Sequence, residues 1–226
     1  MRKTKMCAYC GKEPGVTMDH VIPANLYPKS KADSKVQRRT VPCCVGCQKG
    51  FQDDEAHFRN VLLVCGEPNA PARELWSEKV QRGFVEKDGR KRFQDFDEQL
   101  RDVVVGGRSR TMVFPEMDAR FMRIVRKVVR GLSDYHHVLS AVSDHRVVAR
   151  VFQDEFPEEI LVNMQWPPYE QDILQYGYGV LHQVGIHSFW VLTFFERTTF
   201  LAAVSESEEG FLEDDTRASQ PAALGS

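Results

Sequence analysis

Apolar residues recur at helical spacing in three parts of the chain. They gather into β-branched and aromatic runs toward its C-terminal end. Phe51, Phe58, Leu62 and Cys65 predict a helix over residues 50–64, with Asp53, Asp54 and Glu55 suited to its first turn. Glu67-Pro68-Asn69-Ala70-Pro71 breaks it, and Leu75, Trp76, Val80 and Phe84 predict a second helix over 72–85. Asp88-Gly89 marks a turn. Residues 93–105 read as helix or, from Val103-Val104-Val105, as strand, ending at Gly106-Gly107. The clearest helix spans 117–132. Phe121, Ile124, Val125, Val128, Val129 and Leu132 form its apolar stripe, Arg120, Arg123, Arg126, Lys127 and Arg130 its cationic surface, and Gly131 lies near its expected C-terminal cap. Residues 136–152 extend as helix or strand. Residues 160–162, 173–181 and 188–204 predict strands, with a hairpin at Glu196-Arg197.

The pattern implies an α+β fold divided as 1–66, 67–111, 112–204 and an acidic, disordered tail at 205–226. A 226-residue chain with 42% hydrophobic residues has room for a real core. No apolar run approaches the length of a membrane span, and the basic start, Met1-Arg2-Lys3-Thr4-Lys5, leads into no signal-peptide pattern. A cytoplasmic protein is expected. Net charge is −2, but residues 1–50 carry ten Lys/Arg against three Asp/Glu, and the last 22 residues carry six acids against Arg217. A basic N-terminal face suits phosphate contacts.

Six cysteines change the picture most. Cys7-Ala8-Tyr9-Cys10 and Cys44-Val45-Gly46-Cys47 are C-x-x-C pairs separated by 33 residues. Two such knuckles present four thiolates to one tetrahedral Zn2+, a closed and therefore structural site. Two redox pairs or four buried thiols are the alternatives. In the Cys43-Cys44 tandem only Cys44 stands in C-x-x-C register with Cys47. Cys65 ends an apolar run and reads as a buried thiol.

Between the knuckles lies Asp19-His20-Val21-Ile22-Pro23. The order C-x-x-C, Asp-His-Val-Ile-Pro, Val-Pro-x-C-x-x-C resembles the HNH endonuclease family in its zinc-ribbon, ββα-metal form. Gln52 to Arg59 resembles a bacterial subgroup of that family, and Lys127-Val128-Val129-Arg130-Gly131-Leu132 is a weaker echo. The resemblance implies metal-dependent hydrolysis of phosphodiester bonds, in DNA by family analogy, in a setting such as antiviral defence. It implies His20 as general base and Asp19 as ligand of a catalytic Mg2+ or Mn2+. The family's last ligand, Asn or His, falls at Gln48, a departure that either ligates through the same amide oxygen or marks a weakened site. His57 on the same helix is a substitute ligand or a surface histidine. His136, His137 and His145 show no ligand spacing. Lys29, Lys31, Lys35, Arg38 and Arg39, on the loop beside Asp19-His20, are candidate nucleic-acid contacts. Alternatives to an autonomous nuclease are a zinc-stabilised nucleic-acid- or protein-binding module and an effector activated by a partner. The C-terminal half is expected to position substrate, bind a partner protein or form a homodimer.

Overall fold

The structure, a computed structural model, describes residues 5–34, 36–65, 67–85, 89–105, 107–152, 161–183 and 185–211. Residues 1–4, Lys35, Asp88, Gly106, Ile160 and 212–226, on which some of the expectations above fall, lie outside that set. The fold is α+β. Strands β1 (Thr17–His20) and β2 (Thr40–Cys43) form an antiparallel hairpin with Thr17 opposite Cys43 and His20 opposite Thr40. Helix α1 (Val45–Leu62) follows directly. It begins five residues earlier than its apolar spacing predicts because the second knuckle caps it: Cys44 Sγ accepts the Cys47 N–H. Asp53, Asp54 and Glu55 therefore sit well inside the helix, not in its first turn.

Helix α2 (Ala70–Leu75), a π-helical stretch over Trp76–Val80 and helix α3 (Gln81–Val85) run in succession, capped by Asn69 Oδ1 on the Ala72 N–H. The ambiguous region splits. Its first part joins α4 (Gly89–Asp97), and its β-branched end becomes β3 (Leu100–Val105), paired with β4 (Arg108–Val113). Gly107 turns this hairpin at φ +73°.

Helix α5 (Ala119–Tyr135) is the centre of the molecule. Asp118 caps it, its Oδ1 accepting the N–H groups of Arg120 and Phe121 at 3.0 Å each. The predicted stripe is buried in full. It packs toward a four-stranded antiparallel sheet of order β5-β8-β7-β6, made of β5 (Val147–Phe152), β6 (Leu174–Gln183), β7 (Ile186–Phe194) and β8 (Thr198–Ser205). Phe58 of α1, Phe121 of α5, Phe194 of β7 and Phe200 of β8 meet at ring-centroid distances of 4.5–6.0 Å. One hydrophobic cluster thus runs from Cys7 to Val204. The predicted turn at Glu196 is present, with Phe195 and Glu196 both at positive φ. No described helix is long and apolar enough to cross a membrane.

Four expectations are corrected. Leu161 and Val162 form a helical turn rather than a strand. Glu206 to Gly210, the start of the acidic segment, is held by Arg146, which reaches the carbonyls of Ser205 and Glu206 and the Glu208 carboxylate. The cationic face of α5 is salt-bridged where it is exposed, Arg120 and Arg123 binding Asp54 and Arg126 binding Asp144, but Lys127 and Arg130 are not on the surface: both are buried. Gly131 does not end the helix. It lies within it, where a Cβ would stand 2.8 Å from Val21 Cγ1 and 3.1 Å from Tyr9 Oη. The absent side chain lets α5 close on the knuckle.

Gly131 supplies a test of sign. In an unpacked helix Gly→Ala gains about 1 kcal/mol. Here Gly131→Ala is expected to lower stability by about 1–3 kcal/mol through overpacking, read as a fall in the urea midpoint at unchanged m value.

Candidate metal centre and acid–histidine site

The two knuckles are brought together by backbone hydrogen bonds. Cys7 N–H donates to Glu13 O, Gly11 N–H closes the turn onto Cys7 O with Gly11 at φ +63°, and Ala8 N–H donates to Pro42 O of β2. The Sγ atoms of Cys7, Cys10, Cys44 and Cys47 all lie within 4.8 Å of one another, and Cys10 and Cys44 are 3.9 Å apart. Tetrahedral zinc with bonds of about 2.3 Å needs sulfurs about 3.8 Å apart, so the four residues could hold such an ion. Burial opposes the Cys7 thiolate, but backbone N–H groups of Cys10, Cys44 and Tyr9 outweigh it and bring the thiol down to about 7. Cys43 stands outside the set: its thiol donates to Cys44 O. Cys65 donates to Val61 O.

Asp19 points inward from β1, its side chain 11% exposed. Its Oδ2 accepts the Tyr9 hydroxyl at 2.8 Å and pairs with Lys127 Nζ at 2.7 Å. Burial, and then the charge of Asp19, hold the Tyr9 phenol protonated. Lys127 Nζ also lies 2.7 Å from the His20 carbonyl and 2.7 Å from Glu55 Oε1. The His20 ring is partly exposed at the end of β1. Burial, and then the positive charge of Arg38, push it below the usual histidine value, against the opposing pull of Asp19. Gln48 sits in the first turn of α1, partly exposed, and no side-chain hydrogen bond joins it to Asp19 among the described residues. Glu55, two turns further along the same helix face, makes the connection through Lys127.

Asp19 and Glu55 carboxylates and the His20 carbonyl are hard oxygen donors of the kind Mg2+ or Mn2+ takes, and Gln48 carries an amide oxygen two turns before Glu55 on α1. The donor chemistry fits a divalent ion, and the ammonium of Lys127 lies among the three oxygens.

Tyr9, Glu55 and Lys127 were missed as site residues. Their partners stand 10 to 108 positions away in sequence. The available signal was the stretch from Lys127 to Leu132, where the resemblance resumes. Arg130 donates to the Tyr9 carbonyl in the first knuckle at 2.5 Å. His57 is buried and bonds Asp118 at 2.5 Å, tying α1 to the cap of α5 rather than joining the acid–histidine site.

Lys29, Lys31, Arg38 and Arg39, the described basic residues of the loop, have internal partners. Lys31 pairs with Asp172 at 2.6 Å, Lys29 approaches Glu78 at 3.8 Å with its side chain 72% exposed, and the Arg38 guanidinium lies 4.1 Å from the Tyr27 ring centroid. Arg39 is enclosed most. Its guanidinium lies 4.9–5.4 Å from the ring centroids of Tyr135, Tyr169 and Tyr176, and donates to Pro168 O. His136 shares this box, 2.8 Å from the Tyr176 hydroxyl. Burial, and then the charge of Arg39, push His136 down to about 4.

Two measurements follow. Purified protein is expected to carry one zinc per chain. Cys44→Ala should lose the ion and destabilise the N-terminal module, while Cys43→Ala keeps it, as read by metal analysis. His136 has a folded-state value below its unfolded one, so the unfolded chain binds the extra proton between about pH 6.5 and 4. Its contribution to stability is complete above the unfolded value and lost as pH falls toward 4. A loss of about 1–2 kcal/mol, discounted for partial exposure, is expected over that range, and His136→Phe should flatten it in urea titrations.

Comparison with known proteins finds no family model that matches the chain, and no curated protein or solved structure that is similar to it.

Proposed function

We propose that the chain is an HNH-type endonuclease that hydrolyses phosphodiester bonds, with DNA as substrate by analogy with the family it resembles. The observation that carries the reading is the combination of a β1–β2–α1 frame, tied ahead of β1 and at the β2–α1 junction by the four-cysteine cluster, with a partly exposed histidine whose ring is pushed toward its neutral form beside a buried carboxylate. A neutral imidazole is the form that accepts a proton. In this reading His20 takes the proton from the attacking water, the new P–O bond forms, and the bond to the leaving sugar oxygen breaks, with that oxygen gaining a proton from solvent. A divalent ion held by Asp19 and Gln48, when bound, would supply Lewis-acid stabilisation of the phosphate charge. Asp19 is oriented through Tyr9 and Lys127. Lys29, with its weak and exposed ion pair, is the loop cation most available to a phosphate.

Gln48 supports a second reading, a zinc-stabilised nucleic-acid-binding module without hydrolysis, because no protein contact positions its amide beside Asp19 among the described residues. Supercoiled plasmid separates the two. Zinc-loaded wild type in Mg2+ or Mn2+ is expected to nick it. His20→Ala, folded and with its zinc retained, is expected to be at least 100-fold slower, the low end for loss of a general base. Plasmid binding without nicking in any divalent ion would favour the second reading.

A further inference from the structure

Lys127 is 0% exposed, and its ammonium is satisfied by the protein alone. Its Nζ donates to Glu55 Oε1 and to the His20 carbonyl at 2.7 Å each, and forms an ion pair with Asp19 Oδ2 at 2.7 Å. These donors come from β1 and α1, the two elements whose Asp19 and Gln48 would hold the catalytic ion. Asp19 and Glu55 keep 11% and 18% of their side-chain exposure, so an ion from solvent has a way to them. A divalent ion arriving at Asp19 meets a lysine already bound to that carboxylate. Two cations on one partly buried carboxylate repel each other strongly.

We propose that Lys127 is a built-in competitor for the catalytic divalent ion: ammonium and ion claim the same Asp19 carboxylate, and the ion binds at the expense of the Lys127–Asp19 pair. The rest of the cluster makes the exchange feasible. When Asp19 turns to the ion, Lys127 keeps Glu55 and the His20 carbonyl as partners on its flexible four-carbon stem. Helix α5 need not move, because Arg130 and Gly131 hold it to the knuckle independently. The competition sets a high threshold for ion loading. The identity of the ion rests on the nuclease reading; the competition itself is read by binding.

The experiment titrates the zinc-loaded full chain with Mn2+ and follows free Mn2+ by electron paramagnetic resonance. Wild type, Lys127→Gln, Lys127→Met, Lys127→Arg and Asp19→Asn are compared, the last also combined with Lys127→Gln. Zinc content and circular dichroism report folding. Lys127→Gln, which retains length and a polar tip, is expected to bind one Mn2+ at least tenfold more tightly than wild type, with Lys127→Met the same wherever it folds. Lys127→Arg should stay as weak as wild type, and Asp19→Asn should abolish the site in both backgrounds. The proposal is overturned if Lys127→Gln or Lys127→Met binds no tighter than wild type, or if the tighter site survives Asp19→Asn. It is equally overturned, without any lysine variant, by a submicromolar Mn2+ site in wild type that Asp19→Asn removes. Plasmid nicking is scored separately on the same samples. Tight Mn2+ binding by Lys127→Gln, with no nicking by that variant or by wild type, supports the competition and removes the nuclease reading.

Discussion

A fully buried ammonium costs several kcal/mol to desolvate, and only close, complete pairing offsets that. Lys127 meets the condition with two hydrogen-bond acceptors and an ion pair to Asp19, all at 2.7 Å and drawn from two different elements. The requirement propagates outward. To bring Lys127 to Asp19, α5 must approach β1 closely, and the missing side chain at Gly131 permits it. To hold that approach, Arg130 reaches the knuckle carbonyl of Tyr9 on one side and Val142 O and Asp144 on the other. Once α5 is fixed, its opposite stripe is free to cover the four-stranded sheet. The cysteine frame and the sheet never need to touch extensively, because both are organised around the same helix.

The parts of the fold that were legible in the sequence are those set by local chemistry. The C-x-x-C register identified Cys44 over Cys43, the apolar stripe located α5, and the aromatic runs located β7 and β8 with their turn. What escaped depends on partners far along the chain. Lys127 and Arg130 look like surface cations, since nothing local distinguishes these from one that, like Lys127, will meet carboxylates 108 and 72 positions away. One clue was misread. At about 100° per residue, Gly131 falls on the flank of the cationic surface, not on the apolar stripe. A glycine there permits close packing, whereas it was read as the end of the helix. The early start of α1 was missed for a related reason: the cap is a cysteine, a residue type that carries no general capping signal.

The positive charge of the first fifty residues likewise overstated their surface. Composition counts cations without asking what they face. Arg39 is enclosed by three tyrosine rings, and Lys31 is paired with Asp172 at 2.6 Å. A partly exposed guanidinium such as Arg39 gains about 1 kcal/mol from an aromatic face and has three of them, while an exposed pair such as Lys29 with Glu78 is worth about 1 kcal/mol or less in all. The two loop cations are therefore unequal. Arg39 is committed to joining the loop to β6, whereas Lys29 can leave its partner for a phosphate at little cost.

The geometry of β1 shows why adjacent residues can take different parts in one site. Neighbouring side chains on a strand point to opposite faces. Asp19 accordingly turns inward to Tyr9 and Lys127, while the His20 ring remains partly exposed. What brings the two residues to a common point is the His20 carbonyl, which faces the same ammonium as the Asp19 carboxylate. His20 thus contributes its backbone to the buried cation and keeps its imidazole toward solvent. The ammonium at that position ties the strand end that carries His20 to the helix that carries Glu55. Its charge then reaches the outer face through the backbone of the very residue that would handle the proton.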